Sequence, residues 1–592
     1  MRFADLTAFY GRLESTSKRL EMRAILVELL QVLQRNELAE VLYLSQGLLR
    51  PEYEAVELGM AESLATKAVA AATEVPESTV VSETQRNGDL GTTAEALWGS
   101  GAREGAPLEV TEVYQGLLGI ARASGEGSQE SKVQRLVTLL QRSSATEAKF
   151  LVRFVLGKLR LGVREMTILD ALAVRYGDGS KESRAHIEAA FNVTSDLGLV
   201  AEALDAGGLD GLASVRLEVG RPIRPMLAER SPTLADVLKR MEGRAALEYK
   251  YDGLRVQAHV PEKGPVRLFS RRLEDLSAQF PELVSALPEA VRRRPSIVEG
   301  ECVPIDPETD EIRPFQEVTR RRGRKYDLER MQEEVPVCIF LFDVLLDKDE
   351  PTLDRPFPER RERLLSLVRP GPRVRVAEEK IVTTAEEAQS FFDQSIADGC
   401  EGIMAKSLAD GSAYRAGARG FWWIKYKREY TQGLADSIDG VVVGAFHGRG
   451  RRGGRYGALL LAVYNPERDQ FESFCKVGSG FDDATLEEIP KRLKEWESPT
   501  RPEGVDTGLE PDQWVRPHLV MEVRGAELTL SPIHRGGFGA VRPGAGFALR
   551  FPRFTGRWRD DKSPTTATTS AELLTLYRSQ VRQVEKDSDA GS

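Results

Sequence analysis

Near residue 216 the hydrophobic pattern of this 592-residue chain changes period, and that switch constrains the possible folds more than any other feature. Upstream, apolar residues recur at helical spacing, as at Leu20, Ile25, Leu26, Leu29, Leu30 and Leu33, with almost no β-branched alternation. Such a repeat buries one stripe of a helix, so residues 1–215 are expected to be all-α. Residues 72–108, rich in Glu, Thr, Ser and Gly, read as a mobile loop with one short helix, and Gly207-Gly208 as a break. Downstream the runs shorten and alternate. ALEYKYDGLRVQAHV, SIVEGECVPI, VCIFLFDVLL and WWIKYK predict strands, with helical stretches near 281–293 and 356–368. Residues 216–430 are therefore expected to form an α+β domain built on antiparallel sheets. Residues 431–592 carry further short strands between Gly-rich turns, such as DGVVVGAFHG, ALLLAVYN and ALRFPRF, which suit a small β-barrel of the OB-fold type. The final dozen residues are polar and expected to fray. Three domains fit a length well beyond what one hydrophobic core supports.

Several function classes drop out. No apolar run reaches the roughly 18 residues needed to span a bilayer, and no apolar segment follows a basic start at the N-terminus, so neither a membrane protein nor a secreted one is expected. Cys302, Cys338, Cys400 and Cys475 are scattered and form no CxxC pair, which excludes a disulfide scaffold and a Cys-rich zinc module and fits a reducing cytoplasm. A net charge of −9 argues at first against nucleic acid. Resolved by segment, the excess acid is local: residues 1–215 hold 22 Lys+Arg against 30 Asp+Glu, residues 216–430 hold 38 against 38, and residues 431–592 hold 22 against 23. Within the acidic first segment, residues 132–164 carry eight Lys+Arg and a single acid, Glu147. Such a run is either a solvated helix face or a patch that tracks phosphates, since backbone contacts need only local charge.

The chemistry-bearing residues lie mostly in the middle segment. Lys250 ends a strand in EYKYDGLR, between Tyr249 and Tyr251 and with Leu254 and Arg255 close by. Apolar neighbours and nearby cations both disfavour the ammonium form, which is how a lysine becomes a nucleophile near neutral pH. SRR (Ser270 to Arg272) offers planar guanidinium groups suited to phosphate. VEGE, ending at Glu301, and EGIMAK, starting at Glu401, each set a carboxylate beside glycine, and hard oxygen donors suit Mg²⁺. In WWIKYK, Trp423, Lys425 and Lys427 share one strand face, where two lysines repel unless an anion lies between them. Phe342, in FLFDV, offers an aromatic face for a base. Each has a plain alternative: a surface lysine, strand-end acids, a core phenylalanine. Neither GxxxxGK[ST] nor a paired GxGxxG is present, so a covalent lysyl–nucleotide scheme is the economical reading.

EYKYDGLR, SRR, VEGE, FLFDV, EGIMAK and WWIKYK occur in the order and spacing of the covalent nucleotidyltransferase motifs, and the whole chain resembles an ATP-dependent DNA ligase of the three-domain archaeal and eukaryotic replicative type. FLVRFVLGKLRLGVREMTILDALA is similar to that family's DNA-binding domain, and RFPRFTGRWRDDKSPTTATT to its C-terminal motif. The resemblance implies that Lys250 is adenylylated by ATP, with Glu248 at the adenine and Phe342 stacked on it. Arg255, Arg271 and Arg419 would position ribose and phosphates, Glu301 the ribose or a metal, Glu401 Mg²⁺ (or Mn²⁺), and Lys425 and Lys427 the α-phosphate. Arg553, Arg557, Asp561 and Lys562 match the C-terminal motif, which in the family closes onto pyrophosphate; the spelling RWRDDK leaves Arg557 and Arg559 as alternatives. Lys149, Arg153, Lys158 and Arg160 become candidates for gripping the backbone of nicked duplex DNA, and the Gly448–Gly457 loop, GRGRRGGRYG, a second basic contact. A monomer is expected, and no sliding-clamp peptide is recognisable. An NAD-dependent ligase would need the four-Cys zinc module, and RNA ligases and capping guanylyltransferases lack the helical domain.

Overall fold

The computed structural model describes the chain apart from residues 99–105, 307–310, 314, 320, 322–327, 428–436, 449–454, 526 and 579–592. It divides into two compact units, one of residues 1–229, 244–380 and 406–423, the other of 230–243, 381–405 and 424–592. The chain crosses from one unit to the other within the strands Gly402–Ser407 and Arg419–Lys427.

In the first unit α-helices run from Phe3–Glu14 to Leu197–Gly211, and the first strand, among the described residues, is Leu227–Arg230. Leu26, Leu29, Leu30, Phe150, Leu151, Ile168 and Leu169 form part of one continuous core, but Leu20, on the helix Arg19–Val32, is 69% exposed. The expected loop at 72–108 is largely helical: Glu62–Thr73 is followed by Glu77–Asn87 and Leu90–Leu97. Burial of Val80, Leu90, Ala94 and Trp98 outweighs the weak helix propensity of the Ser and Thr around them, and Asp89 caps the last helix by accepting from the Thr92 N–H at 2.8 Å. Gly207 and Gly208 do break the helix, with Gly208 at φ +60°.

The same unit holds a six-stranded sheet ordered Arg267–Ser270, Leu254–Val260, Ser296–Pro304, Val337–Asp347 and Glu350–Pro351, with Val374–Val376 added parallel to Val337–Asp347. The other pairings are antiparallel. Alternation turns Val256, Ala258, Val298 and Cys302 into a core with Leu283 and Leu287 of the helix Pro281–Ala290 and Leu364 and Leu367 of the helix Phe357–Leu367. It leaves Arg255, Gln257, Glu299 and Glu301 on the opposite face, with Arg255 paired to Glu301 and Gln257 to Glu299. Between the pairs Glu299–Asp343 and Gly300–Leu341 the register shifts, so Phe342 is the extra residue of a β-bulge. Bulges re-aim side chains, and this one sets Phe342 apart from the regular alternation.

The second unit is strand-rich and of the OB-fold class. Its main sheet runs Glu497–Ser498, Gln513–Val515, Ile438–His447, Tyr456–Asn465, Gln470–Val477 and Val505–Asp506, and Val520–Arg524 pairs with both Ile438–His447 and Arg553–Trp558. Val442, Leu461, Val463, Phe474, Met521, Val523 and Phe547 fill its core. The unit also contains the helices Leu234–Arg240 and Ala385–Ala397. All four cysteines are reduced and buried. No described helix is long and apolar enough to cross a membrane. The tail expected to fray and most of the Gly448–Gly457 loop lie outside the described residues.

Candidate active site

Lys250 is the last residue of the strand Ala245–Lys250, whose Ala245, Ala246 and Leu247 are fully buried. Its neighbours are pinned. The Tyr249 N–H donates to the Glu378 carbonyl at 3.2 Å, and the Glu378 N–H donates to the Tyr251 hydroxyl at 3.2 Å. The Tyr251 ring stacks on Phe340 with centroids 4.2 Å apart. The turn that follows requires glycine, because a Cβ on Gly253 would lie 2.4 Å from the Cys302 carbonyl oxygen and 2.9 Å from Glu301 Cγ. That close approach sets the lysine turn against the strand carrying Glu301.

Glu248 shares the strand face of Lys250 and is 2% exposed. Its carboxylate meets Lys406 Nζ at 2.7 Å and Arg361 at 3.6 Å. Burial pushes the Glu248 carboxyl above the ordinary range, with Lys406 and Arg361 pulling the other way. Lys406, itself 1% exposed, also donates to the Phe342 carbonyl at 3.0 Å and sits over the rings of Phe342, Phe357 and Trp423. Arg255 lies over Phe342 and Trp423, with ring centroids 5.4 and 5.5 Å away. It donates to Glu299 and to the Met226 carbonyl, each at 2.7 Å, while the Tyr414 hydroxyl donates to the same Glu299 at 2.8 Å. Burial opposes the Arg255 charge, yet Glu299 and its neighbours keep the guanidinium pKa raised.

Thus Glu248, Arg255 and Phe342 gather in one cluster as the motifs imply. Lys406, Arg361, Glu299 and Tyr414 belong to it as well, and the sequence reading did not assign them. Glu299 lies in VEGE and Lys406 ends EGIMAK, so the signal was present; what selects them is strand register, which a motif does not display.

Arg271 and Arg272 are exposed on a tight turn in which Ser270 Oγ accepts from the N–H groups of Arg272 and Glu274, both at 3.1 Å. Arg271 opens onto a cleft of about 540 Å³ that is also lined by Asn192, Arg224 and Gly417. Arg419 is exposed at the start of its strand. In the second unit Lys427 and Glu401 form an ion pair at 2.7 Å. Gly402 makes this possible: at φ +146° a Cβ there would lie 2.3 Å from the Tyr426 carbonyl oxygen, so the two strands approach where only glycine fits. An anion does sit beside Lys427, and it is Glu401. Lys425, on the same strand face, is half-buried.

The C-terminal motif separates its arginines. Arg557 is 63% exposed and 3.9 Å from Glu522, and Arg553 is exposed. Arg559 instead joins Asp439 at 2.7 Å and Asp561 at 2.8 Å, and Lys562 reaches Asp439 at 2.6 Å. The guanidinium of Arg559 holds Asp561 well below the usual carboxylate range.

The DNA-contact candidates differ in exposure, and Arg153 is the most buried of them. Its side chain is 4% exposed, with Nε 2.9 Å from Asp89 and Nη1 2.6 Å from Glu14. The guanidinium thus lies between two carboxylates and ties the helix Ala145–Val155 to Asp89 and to the helix Phe3–Glu14. Lys149 is 16% exposed and bound to Glu14 and Glu95. Lys158 and Arg160, each about half exposed, face solvent with partners at 3.1 Å (Glu62) and 3.4 Å (Asp89).

Comparison with known proteins identifies the family. The family described as ATP dependent DNA ligase domain matches residues 225–427, DNA ligase N terminus matches residues 2–173, and ATP dependent DNA ligase C terminal region matches residues 452–562. DNA ligase 2 of Thermofilum pendens is 46% identical across 98% of this chain and 97% of its own length. A probable DNA ligase of Aquifex aeolicus is 45% identical across 98% of this chain and 99% of its own. A solved structure titled Pmar-Lig_Pre. shares the fold at a TM-score of 0.54 and 18% identity, covering 94% of this chain and 99% of that one. With such identity over nearly its full length, the chain belongs to the ATP-dependent DNA ligases.

Proposed function

We propose that Lys250 is the nucleophile through which this ATP-dependent DNA ligase seals 5′-phosphate/3′-hydroxyl nicks. Its neutral Nζ attacks the α-phosphorus of ATP, a P–N bond forms, the bond to the β-phosphate breaks and pyrophosphate leaves. An oxygen of the 5′-phosphate at the nick then attacks the same phosphorus. The P–N bond breaks, its electron pair returns to Nζ, and AMP is carried onto the DNA end. The 3′-hydroxyl, giving up its proton, attacks the 5′-phosphorus and expels AMP.

The cluster around Phe342 carries this reading. Phosphoryl transfer depends on positioning and charge neutralisation, and the cluster supplies an aromatic face flanked by the partly buried Arg255 and the buried Lys406, with Glu248 beside them. Phe342 would stack on adenine and Glu248 would accept from it. Arg255, Arg271 and Arg419 would hold ribose and phosphates, and Lys425 and Lys427 the α-phosphate. Mg²⁺ (or Mn²⁺), when bound, offsets phosphate charge, and Glu301 and Glu401 have the hard oxygen donors it prefers. Glu401 already accepts a positive partner in Lys427, so it is suited to that role. Residues 1–215 would grip duplex DNA, 216–430 transfer the adenylyl group and 431–592 supply the OB-fold and the C-terminal motif. The enzyme would act as a cytoplasmic monomer, with clamp binding left to motifs outside those assigned.

Incubation with α-labelled ATP, GTP or NAD tests the assignment. Label should transfer from ATP alone, and Lys250→Ala should lose both labelling and nick sealing. Labelling of Lys250→Ala, or labelling from GTP alone, overturns it.

A further inference from the structure

One buried carboxylate ties down the C-terminal motif. Asp439, the second residue of the strand Ile438–His447, is 6% exposed. Arg559 Nη1 and Lys562 Nζ both donate to its Oδ2, at 2.7 and 2.6 Å. Its backbone closes the same clip: the Asp439 N–H donates to Thr568 Oγ1 at 3.0 Å, and its carbonyl accepts from the Thr568 N–H at 3.1 Å. A single residue therefore anchors the chain from 559 to 568. On the other side Asp561 accepts from Arg559 Nε and Nη2, at 2.9 and 2.8 Å. Just upstream, Gly556 at φ +89° lies where the register shifts between the pairs Val523–Phe554 and Met521–Trp558. The strand bulges there and delivers the cations to Asp439.

Two features separate this clip from an ordinary stabilising ion pair. Both cations crowd onto Oδ2, while the buried Oδ1 has no hydrogen-bond partner among the described residues, a desolvation cost that a pair serving stability alone would avoid. Lys562, a third exposed, gives one of its three N–H donors to Asp439 and, among the described residues, retains two. It is held, charged and still able to bind an anion.

We propose that Asp439 is a positioning residue for enzyme adenylylation: it fixes Lys562 and Arg559 in the geometry in which the C-terminal motif meets the pyrophosphate end of ATP. The inference rests on the family-based reading that this motif serves the adenylylation step. Asp439 touches no substrate and acts through the two cations.

The test uses the full-length enzyme and two separate steps. Asp439→Asn, which keeps the shape and removes the charge, should slow formation of the enzyme–AMP adduct roughly 10- to 100-fold, as expected when a reacting group is misplaced by about an ångström. Sealing of a nick already carrying 5′-AMP should stay near the wild-type rate. Lys562→Ala, run in parallel, tests the underlying reading and should also slow adduct formation. If Lys562→Ala is slow and Asp439→Asn matches wild type, the inference fails while the reading stands. If Lys562→Ala forms adduct at the wild-type rate, the reading fails and takes the inference with it. If Asp439→Asn lowers both steps in proportion and melts earlier, Asp439 serves only the fold, and the proposal is overturned.

Discussion

Replacing Arg153 with alanine should weaken the helical region and leave its affinity for DNA unchanged. The guanidinium is 4% exposed and bonds Asp89, Glu14 and, at 3.3 Å, Thr92 Oγ1. Its stem packs beneath the helix Leu90–Leu97, where a Cβ on Gly91 would lie 2.6 Å from Arg153 Cγ. Breaking a buried ion pair by removing one partner costs about 3–5 kcal/mol. Glu14 keeps Lys149 at 2.9 Å, Asp89 keeps Arg160 at 3.4 Å, and the Glu14 side chain is 29% exposed, so the loss should fall to roughly 2–4 kcal/mol. For a region of this size that corresponds to a fall of roughly 5–15 °C in its melting transition, read by calorimetry or far-UV circular dichroism. The deficit should depend on pH. Although burial raises both carboxyls, Thr92 and Arg153 hold Asp89 below its usual value, and Lys149 and Arg153 do the same for Glu14. Depressed folded-state values contribute stability that is present above the unfolded pKa and lost as pH falls through the folded one, so the deficit should be full at neutral pH and shrink below about pH 4. Lys158→Ala and Arg160→Ala provide the contrast, each flattening the salt dependence of DNA binding by about one unit of slope with little change in melting. If Arg153→Ala flattened that slope and melted like wild type, the internal-tie argument would be wrong.

Two further changes probe the active site. Gly253→Ala places its new carbon 2.4 Å from the backbone oxygen of Cys302, which cannot rotate away; the turn carrying Lys250 must shift, and enzyme–AMP formation should fall roughly 100-fold with the overall fold retained by circular dichroism. Wild-type labelling kinetics would show that the turn tolerates displacement. Phe342→Ala removes the ring beneath Arg255 and Lys406 and should raise KM for ATP about 10-fold, in line with the roughly 1–3 kcal/mol of base–aromatic stacking, while Phe342→Tyr keeps it near wild type. An unchanged KM in the alanine variant would reduce Phe342 to a packing residue.

The fold classes were legible because each rests on local periodicity: 3.6 residues before 216, two residues after it. Residues 72–108 were misread since Ser, Thr and Gly are poor witnesses to helix when burial of Val80, Leu90 and Trp98 decides the matter. The candidate lysine and carboxylates stand out in the sequence because glycine marks them. Gly253, Gly300 and Gly402 each stand where a Cβ would strike a backbone oxygen, at 2.4, 2.7 and 2.3 Å. The bulge at Phe342 and the pairing of Glu248 with Lys406 were not legible, since both depend on which strands lie together and in what register.

Charge shows the same limit most sharply. The run 132–164 sums to strongly basic, yet the fold supplies its acids from elsewhere: Arg142 meets Glu112, Lys149 meets Glu14 and Glu95, Arg153 meets Glu14 and Asp89, Lys158 meets Glu62, and Arg160 meets Asp89. Five of the eight cations in the run are thus tied to acids of other elements in the same segment. What a phosphate can compete for is decided by burial. Arg153, 4% exposed, would have to leave the buried Asp89 and the partly buried Glu14, whereas Lys158 holds an exposed pair worth about 0–1 kcal/mol and Arg160 has a half-exposed side chain 3.4 Å from Asp89, so a nucleic-acid phosphate can compete for these two at less cost. Grip on DNA from this segment should therefore scale with its exposed, weakly paired cations and not with its count of Lys and Arg.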